Sequence, residues 1–155
     1  LTLARASDDA AIVREPVDLA LVAERELRRS ERDGKPLAGD ASFASAIVEG
    51  DERRLGELVA NLVGNARRYA RTRITVRVAS EGDVALLVVG DDGPGVAPDL
   101  VPHLFERFAK TPDSPGSGLG LAICRWIVAA HGGTIDYADG SEFIVRLPLA
   151  NRSAS

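Results

Sequence analysis

Between Glu52 and Arg71, the apolar residues Leu55, Leu58, Val59, Leu62 and Ala66 recur at spacings of three and four, which places them on one face of a helix. The pattern predicts a central amphipathic helix with Asp51 as its N-cap. Earlier in the chain, Pro16 and Asp18 can open a helix that carries Leu19, Val22, Ala23 and Leu27 on its apolar side. The charged run from Arg28 to Asp33 then reads as a solvated face. Gly34 and Pro36 break the chain, and Phe43, Ile47 and Val48 suit one short strand before Gly50.

Ile74, Val76 and Val78 alternate as a half-buried strand does, whereas Val84 to Val89 is continuously apolar and must be buried on both sides or central. Glu81, Gly82 and Asp83 supply the hairpin turn between them. Pro98 to Phe108 reads as one or two short helical turns, and Ala109 to Ser117 as a loop. A second long helix is expected over Gly118 to His131, followed by strands over Thr134 to Ala138 and Glu142 to Leu147. This order predicts an α+β sandwich, one sheet covered by helices. Leu1, Leu3, Ala4 and Ala6 suit the end of a helix that began earlier, and Asn151 to Ser155 a frayed tail.

With 155 residues, 45% of them apolar, the chain can bury one sizeable core. Its net charge of −4 argues against nucleic acid or an anionic membrane as the main partner. The apolar run Val84 to Val89 is far short of the roughly 20 residues that span a bilayer, and no signal-peptide pattern opens the chain. A soluble, cytoplasmic chain is expected, and the absence of methionine leads to the expectation of a fragment or a processed piece. The single cysteine, Cys124, sits among Ala122, Ile123, Trp126 and Ile127, a setting for a buried, inert thiol.

Three polar features interrupt these patterns. Glu57, Asn61, Asn65 and Arg68 form a stripe beside the apolar face of the central helix. It reads either as an exposed polar face or as a ligand-facing one, and two asparagines one turn apart in mid-helix need a compensating reason. An amide oxygen such as that of Asn65 suits a hard cation shared with nucleotide phosphates. The buried strand empties into Gly90, Asp91, Asp92, Gly93, Pro94 and Gly95; an acidic turn accounts for Asp92 through Pro94 but less readily for Asp91. A carboxylate there can accept from an exocyclic amine, with glycines admitting a flat ring. Gly116, Ser117, Gly118, Leu119 and Gly120 lead into the second helix and offer backbone N–H groups to an anion, a weak signal alone.

Taken in order and at these separations, the segments resemble the catalytic and ATP-binding domain of bacterial two-component sensor histidine kinases. "ELVANLVGNARRYA" is similar to the asparagine box, "VGDDGPGV" to the first glycine box, "LFERFAK" to the phenylalanine box and "GSGLGLAI" to the second glycine box. "HGG" and "FIVRLPL" are similar to the closing helix end and last strand, while "LTLAR" and "EPVDLALV" resemble the end of a dimerisation helix and the linker. The resemblance implies a Bergerat-type two-layer sandwich with a mixed, mostly antiparallel sheet. It also implies boundaries at 1–15 for helix end and linker, 16–150 for the ATP-binding domain and 151–155 for the tail.

By the same resemblance, Asn65 holds magnesium, Asn61 supports it, and Arg68 contacts phosphate where lysine is frequent. Tyr69 packs on adenine, Asp91 accepts from its amino group, and Gly93, Gly95 and Val96 shape the pocket. Phe105 and Phe108 anchor a lid; Gly116, Ser117, Gly118, Leu119, Gly120 and Leu121 wrap the phosphates. Lys110 stands where an arginine is common near the γ-phosphate, and Ala109 where an aromatic is frequent, so the lid departs from pattern. Pro112 and Pro115 should limit its motion until nucleotide binds.

Neither His103 nor His131 lies in the setting of the family's phosphoacceptor, so the acceptor is expected on a dimerisation and phosphotransfer domain elsewhere, with a response regulator downstream. The piece itself is expected to be monomeric, and the full protein to be cytoplasmic or anchored in the membrane through another part. A gyrase-like hydrolase would need a glutamate one turn before Asn65, where Asn61 stands, and an amide cannot act as a base. A regulatory module of the anti-sigma-factor serine kinase type, or a nucleotide-binding domain without transfer activity, is the alternative reading.

Overall fold

The apolar patterns become, in chain order, β1 (Glu15–Asp18), α1 (Leu19–Asp33), β2 (Ala38–Phe43), β3 (Ile47–Gly50), α2 (Glu52–Tyr69), β4 (Arg73–Glu81), β5 (Val84–Asp91), α3 (Gly120–Ala130), β6 (Thr134–Ala138) and β7 (Glu142–Pro148). A 3-10 turn covers Val101–His103. These elements come from a computed structural model that describes residues 12–34, 37–106, 120–138 and 141–150.

Five strands form a sheet in the order β2-β4-β5-β7-β6, and β1 pairs with β3 in a separate two-stranded ribbon. Only β2 runs parallel to its neighbour, so the sheet is mixed and mostly antiparallel. The continuous apolar run forms β5, the middle strand, with Ala85 to Gly90 buried. Its inner residues Leu87 and Val89 face the helices with Val76, Val78, Phe143 and Val145. On the other face, Leu86 and Val88 lie opposite Arg77, Ile144 and Arg146 across the neighbouring strands.

Helix α2 lies between α1 and α3 and rests on β5. Leu55, Leu58, Val59, Leu62 and Val63 are fully buried, each such burial contributing about 1.5–3 kcal/mol against exposure. The helix starts where the sequence predicts it: the Asp51 carboxylate accepts from the N–H groups of Arg53 (3.0 Å) and Arg54 (3.2 Å). It stops at Tyr69, two residues before the predicted end, because Ala70 is already extended.

Two strands depart from the sequence expectation. Pro16 belongs to β1, not to the helix, which opens only at Leu19 with Asp18 as N-cap (Ala20 N–H, 3.0 Å). Between Phe43 and Val48 there is not one strand but two, β2 and β3. β2 contains Gly39 and Asp40 and is almost wholly exposed, so no apolar alternation announces it; its backbone pairing with β4 makes it a strand.

Candidate functional site

The stripe on α2 divides once folded. Glu57 is drawn aside into an ion pair with Arg54 (3.1 Å), whose guanidinium lies 5.0 Å from the centre of the Trp126 ring. Asn61 is partly buried and reaches the start of α3: its Oδ1 is 3.9 Å from where a Cβ on Gly120 would stand. One turn on, Asn65 is partly buried, and its carboxamide has no hydrogen-bond partner among the described residues. Arg68 and Tyr69 follow, exposed, at the helix end.

Tyr69 brings α2 against the loop after β5. A Cβ on Gly93 would run into the Tyr69 carbonyl oxygen, so only glycine permits this approach. The Gly93 N–H donates to Asp91 Oδ1 at 2.7 Å, which leaves Oδ2 without a partner among the described residues. Partial burial raises the Asp91 pKa; the Gly93 N–H opposes this and the neighbouring Asp92 charge adds to it. Gly95 then turns with φ +81, a conformation L side chains rarely adopt. Val96 donates its N–H to the Tyr137 hydroxyl (3.0 Å), and Tyr137, Phe143 and Phe105 form a continuous aromatic floor.

Of the predicted site residues, the structure brings Asn61 to Gly120 and Tyr69 to Gly93 and Asp91, with Asn65 between Asn61 and Tyr69 along α2. Leu121, in the first turn of α3, packs partly buried against the core, as does Val96. Phe108, Lys110, Gly116, Ser117, Gly118 and Leu119 lie outside the described residues. Sequence reasoning passed over Asp92, whose carboxylate collects donors from the turn after α2, and Tyr137, which holds Val96. An Asp next to a glycine turn is too common for its partner nineteen to twenty-one residues away to be seen in the sequence.

Among the described residues no cluster of three or more His, Cys, Asp or Glu side chains could hold a metal by itself. The donor set fits magnesium nonetheless, because that ion typically takes one or two protein oxygens and completes its shell with phosphates and water. The amide of Asn65, which has no hydrogen-bond partner among the described residues, would offer one such oxygen. Cys124, fully buried and set against Leu58, is not a nucleophile: burial pushes its thiol up to about 12. His131 is 5% exposed and uses both ring nitrogens, Nδ1 toward the Ile127 carbonyl (2.8 Å) and Nε2 accepting from the Asp51 N–H (3.0 Å).

A two-layer sandwich whose central helix carries two asparagines beside a half-buried aspartate and a glycine turn defines a class of ATP-binding domains. Residues 50–151 match the family described as histidine kinase-, DNA gyrase B-, and HSP90-like ATPase. The kinase/phosphatase MprB of Mycobacterium ulcerans is 36% identical over 138 residues, 85% of this chain and 27% of that protein. The solved structure of a mycobacterial sensor histidine kinase MprB superposes with a TM-score of 0.80 at 36% identity, covering 88% of this chain and 98% of that one. ShkA, solved in complex with AMPPNP, superposes with a TM-score of 0.71 at 30% identity, covering 97% of this chain and 36% of that one. The chain belongs to this ATPase family and is the catalytic and ATP-binding domain of a bacterial sensor histidine kinase. It spans about 27% of the length of the curated MprB protein it matches.

Proposed function

We propose that the domain, residues 16–150 after a lead-in at 1–15, binds ATP with magnesium and donates the γ-phosphoryl group to a histidine on a separate dimerisation domain. The observation that carries this reading is a pair of polar groups without hydrogen-bond partners among the described residues, Asn65 one turn before Tyr69 on α2 and Asp91 Oδ2 beside Gly93, which the Tyr69–Gly93 contact joins. Adenine lies against Tyr69, its amino group donating to Asp91, while Gly93, Gly95 and Val96 set the width of the slot. Magnesium, held by Asn65 with Asn61 beside it, would neutralise phosphate charge. Arg68, Lys110 and the glycine-rich lead into α3, Gly116 to Gly120 with Leu121, supply further positive charge and N–H donors.

Transfer needs positioning more than covalent help from this chain. The acceptor imidazole attacks the γ-phosphorus, the bond to the β,γ-bridging oxygen breaks, ADP leaves, and the imidazole proton passes to a base on the acceptor's domain. Neither histidine described here suits that role: His131 is buried with both nitrogens engaged, and His103 sits on a 3-10 turn paired with Glu106 (2.9 Å). The unit is read as cytoplasmic and monomeric, passing signal onward through a response regulator; no described helix is long and apolar enough to cross a membrane.

Incubating the chain with γ-labelled ATP and a dimerisation domain bearing its histidine tests the reading. Label that is acid-labile and base-stable on that domain is the expected result. Label on serine, or steady ATP turnover by the chain alone, contradicts it.

A further inference from the structure

Asp92 is exposed, yet its carboxylate is among the most heavily engaged groups in the molecule. Oδ1 accepts from the backbone N–H groups of three successive residues, Arg71 (2.8 Å), Thr72 (3.0 Å) and Arg73 (3.1 Å). Oδ2 accepts from the Thr72 hydroxyl at 2.6 Å and again from its N–H at 3.2 Å, and the Asp92 N–H returns to the Arg73 carbonyl at 3.2 Å. Successive N–H groups converging on an anion form a nest. These donors hold the carboxyl well below the usual range, so it stays ionised at neutral and mildly acidic pH.

The two segments this clamp joins are the ones that carry the base slot. Arg71 to Arg73 follow Tyr69 after a single residue, Ala70, and Asp92 lies between Asp91 and Gly93. On the inner side the Tyr69 carbonyl already touches Gly93 so closely that no Cβ fits. Asp92, exposed, ties the same segments together through its hydrogen bonds to Arg71, Thr72 and Arg73. Removing its side chain opens no cavity; what it removes is the restraint on where Asp91 stands relative to Tyr69.

We infer that Asp92 is a specificity-determining positioning residue, acting through Asp91 to hold the slot at the width that selects adenine over other purines. The inference rests on the reading of Asp91 as acceptor of the adenine amino group. Inosine triphosphate separates the two ideas, since it presents a carbonyl oxygen where adenine presents an amine and so sets acceptor against acceptor. A site built for one hydrogen-bonding pattern rejects the other in proportion to how firmly its groups are held.

The experiment titrates the 155-residue chain, as wild type and as Asp92→Ala and Thr72→Val, with magnesium ATP and magnesium ITP. The readout is the ratio of the two affinities, which a general loss of stability does not move. Wild type favours ATP; Asp92→Ala lowers the ratio about 10-fold, and Thr72→Val, which removes one donor and keeps the carboxylate, lowers it by a smaller factor. If Asp92→Ala does not fold, an unchanged ratio in Thr72→Val overturns the inference. A wild-type chain that does not distinguish the nucleotides overturns the Asp91 reading and this inference together. A discriminating wild type with undiminished discrimination in Asp92→Ala overturns the inference alone.

Discussion

His131 shows how a buried side chain can tie together the two helices that flank the candidate site. Its Nε2 accepts from the N–H of Asp51, the residue that caps α2, and its Nδ1 donates to the Ile127 carbonyl near the end of α3. Protonation would turn Nε2 into a donor facing a donor. Burial first of all, and then the nearby Arg14 charge, lower its pKa below 6.5, while the Ile127 carbonyl and Asp51 oppose the shift. A base with a depressed folded-state pKa stabilises the fold fully above the unfolded value and loses that contribution as pH falls through the window below it. The thermal midpoint should therefore drop as pH is lowered below about 6.5. In a His131→Phe variant that part of the slope should vanish, even if the midpoint at neutral pH is lower. A slope identical in both proteins would show that other groups set it.

At the scale of elements, the N-terminus of α2 is a junction. Asp51 caps the helix through Oδ1, accepts from the Val13 N–H through Oδ2 (3.2 Å), and donates to His131, while Arg14 reaches the Ala130 carbonyl at the end of α3 (2.7 Å). The lead-in to β1 is thus bonded to both helices that face the site. Asp51→Ala should cost about 1–2 kcal/mol in denaturant unfolding, with Asp51→Ser losing much less; equal losses would mean that the cap contributes little. This cap was legible in the sequence because an Asp before an amphipathic run has one common use. Strands β1 and β2 were not, because Pro16 mimics a helix start and the exposed β2 has no apolar side to alternate. In each case pairing with another strand, invisible locally, overrode the local signal.

Across the whole molecule, the layered architecture followed from apolar periodicity, and the candidate site was sought at three polar interruptions of it. Asn65 and Asp91 stood out as candidates because a polar group placed beside a buried run needs a reason. Asp92 and Tyr137 did not, since their partners are distant in sequence and their roles exist only once β5 lies beside α2 and β6 beside β7. The account predicts one ligand spanning α2, with its metal at Asn65 and its base at Asp91. The most direct test is calorimetric titration of ATP into wild type and Asn65→Ala, each with magnesium and with the metal removed by chelator. Wild type should bind more tightly by about 10-fold or more when magnesium is present, and Asn65→Ala should lose that increment. Equal affinity with and without the metal, or an increment that survives in Asn65→Ala, would contradict the account.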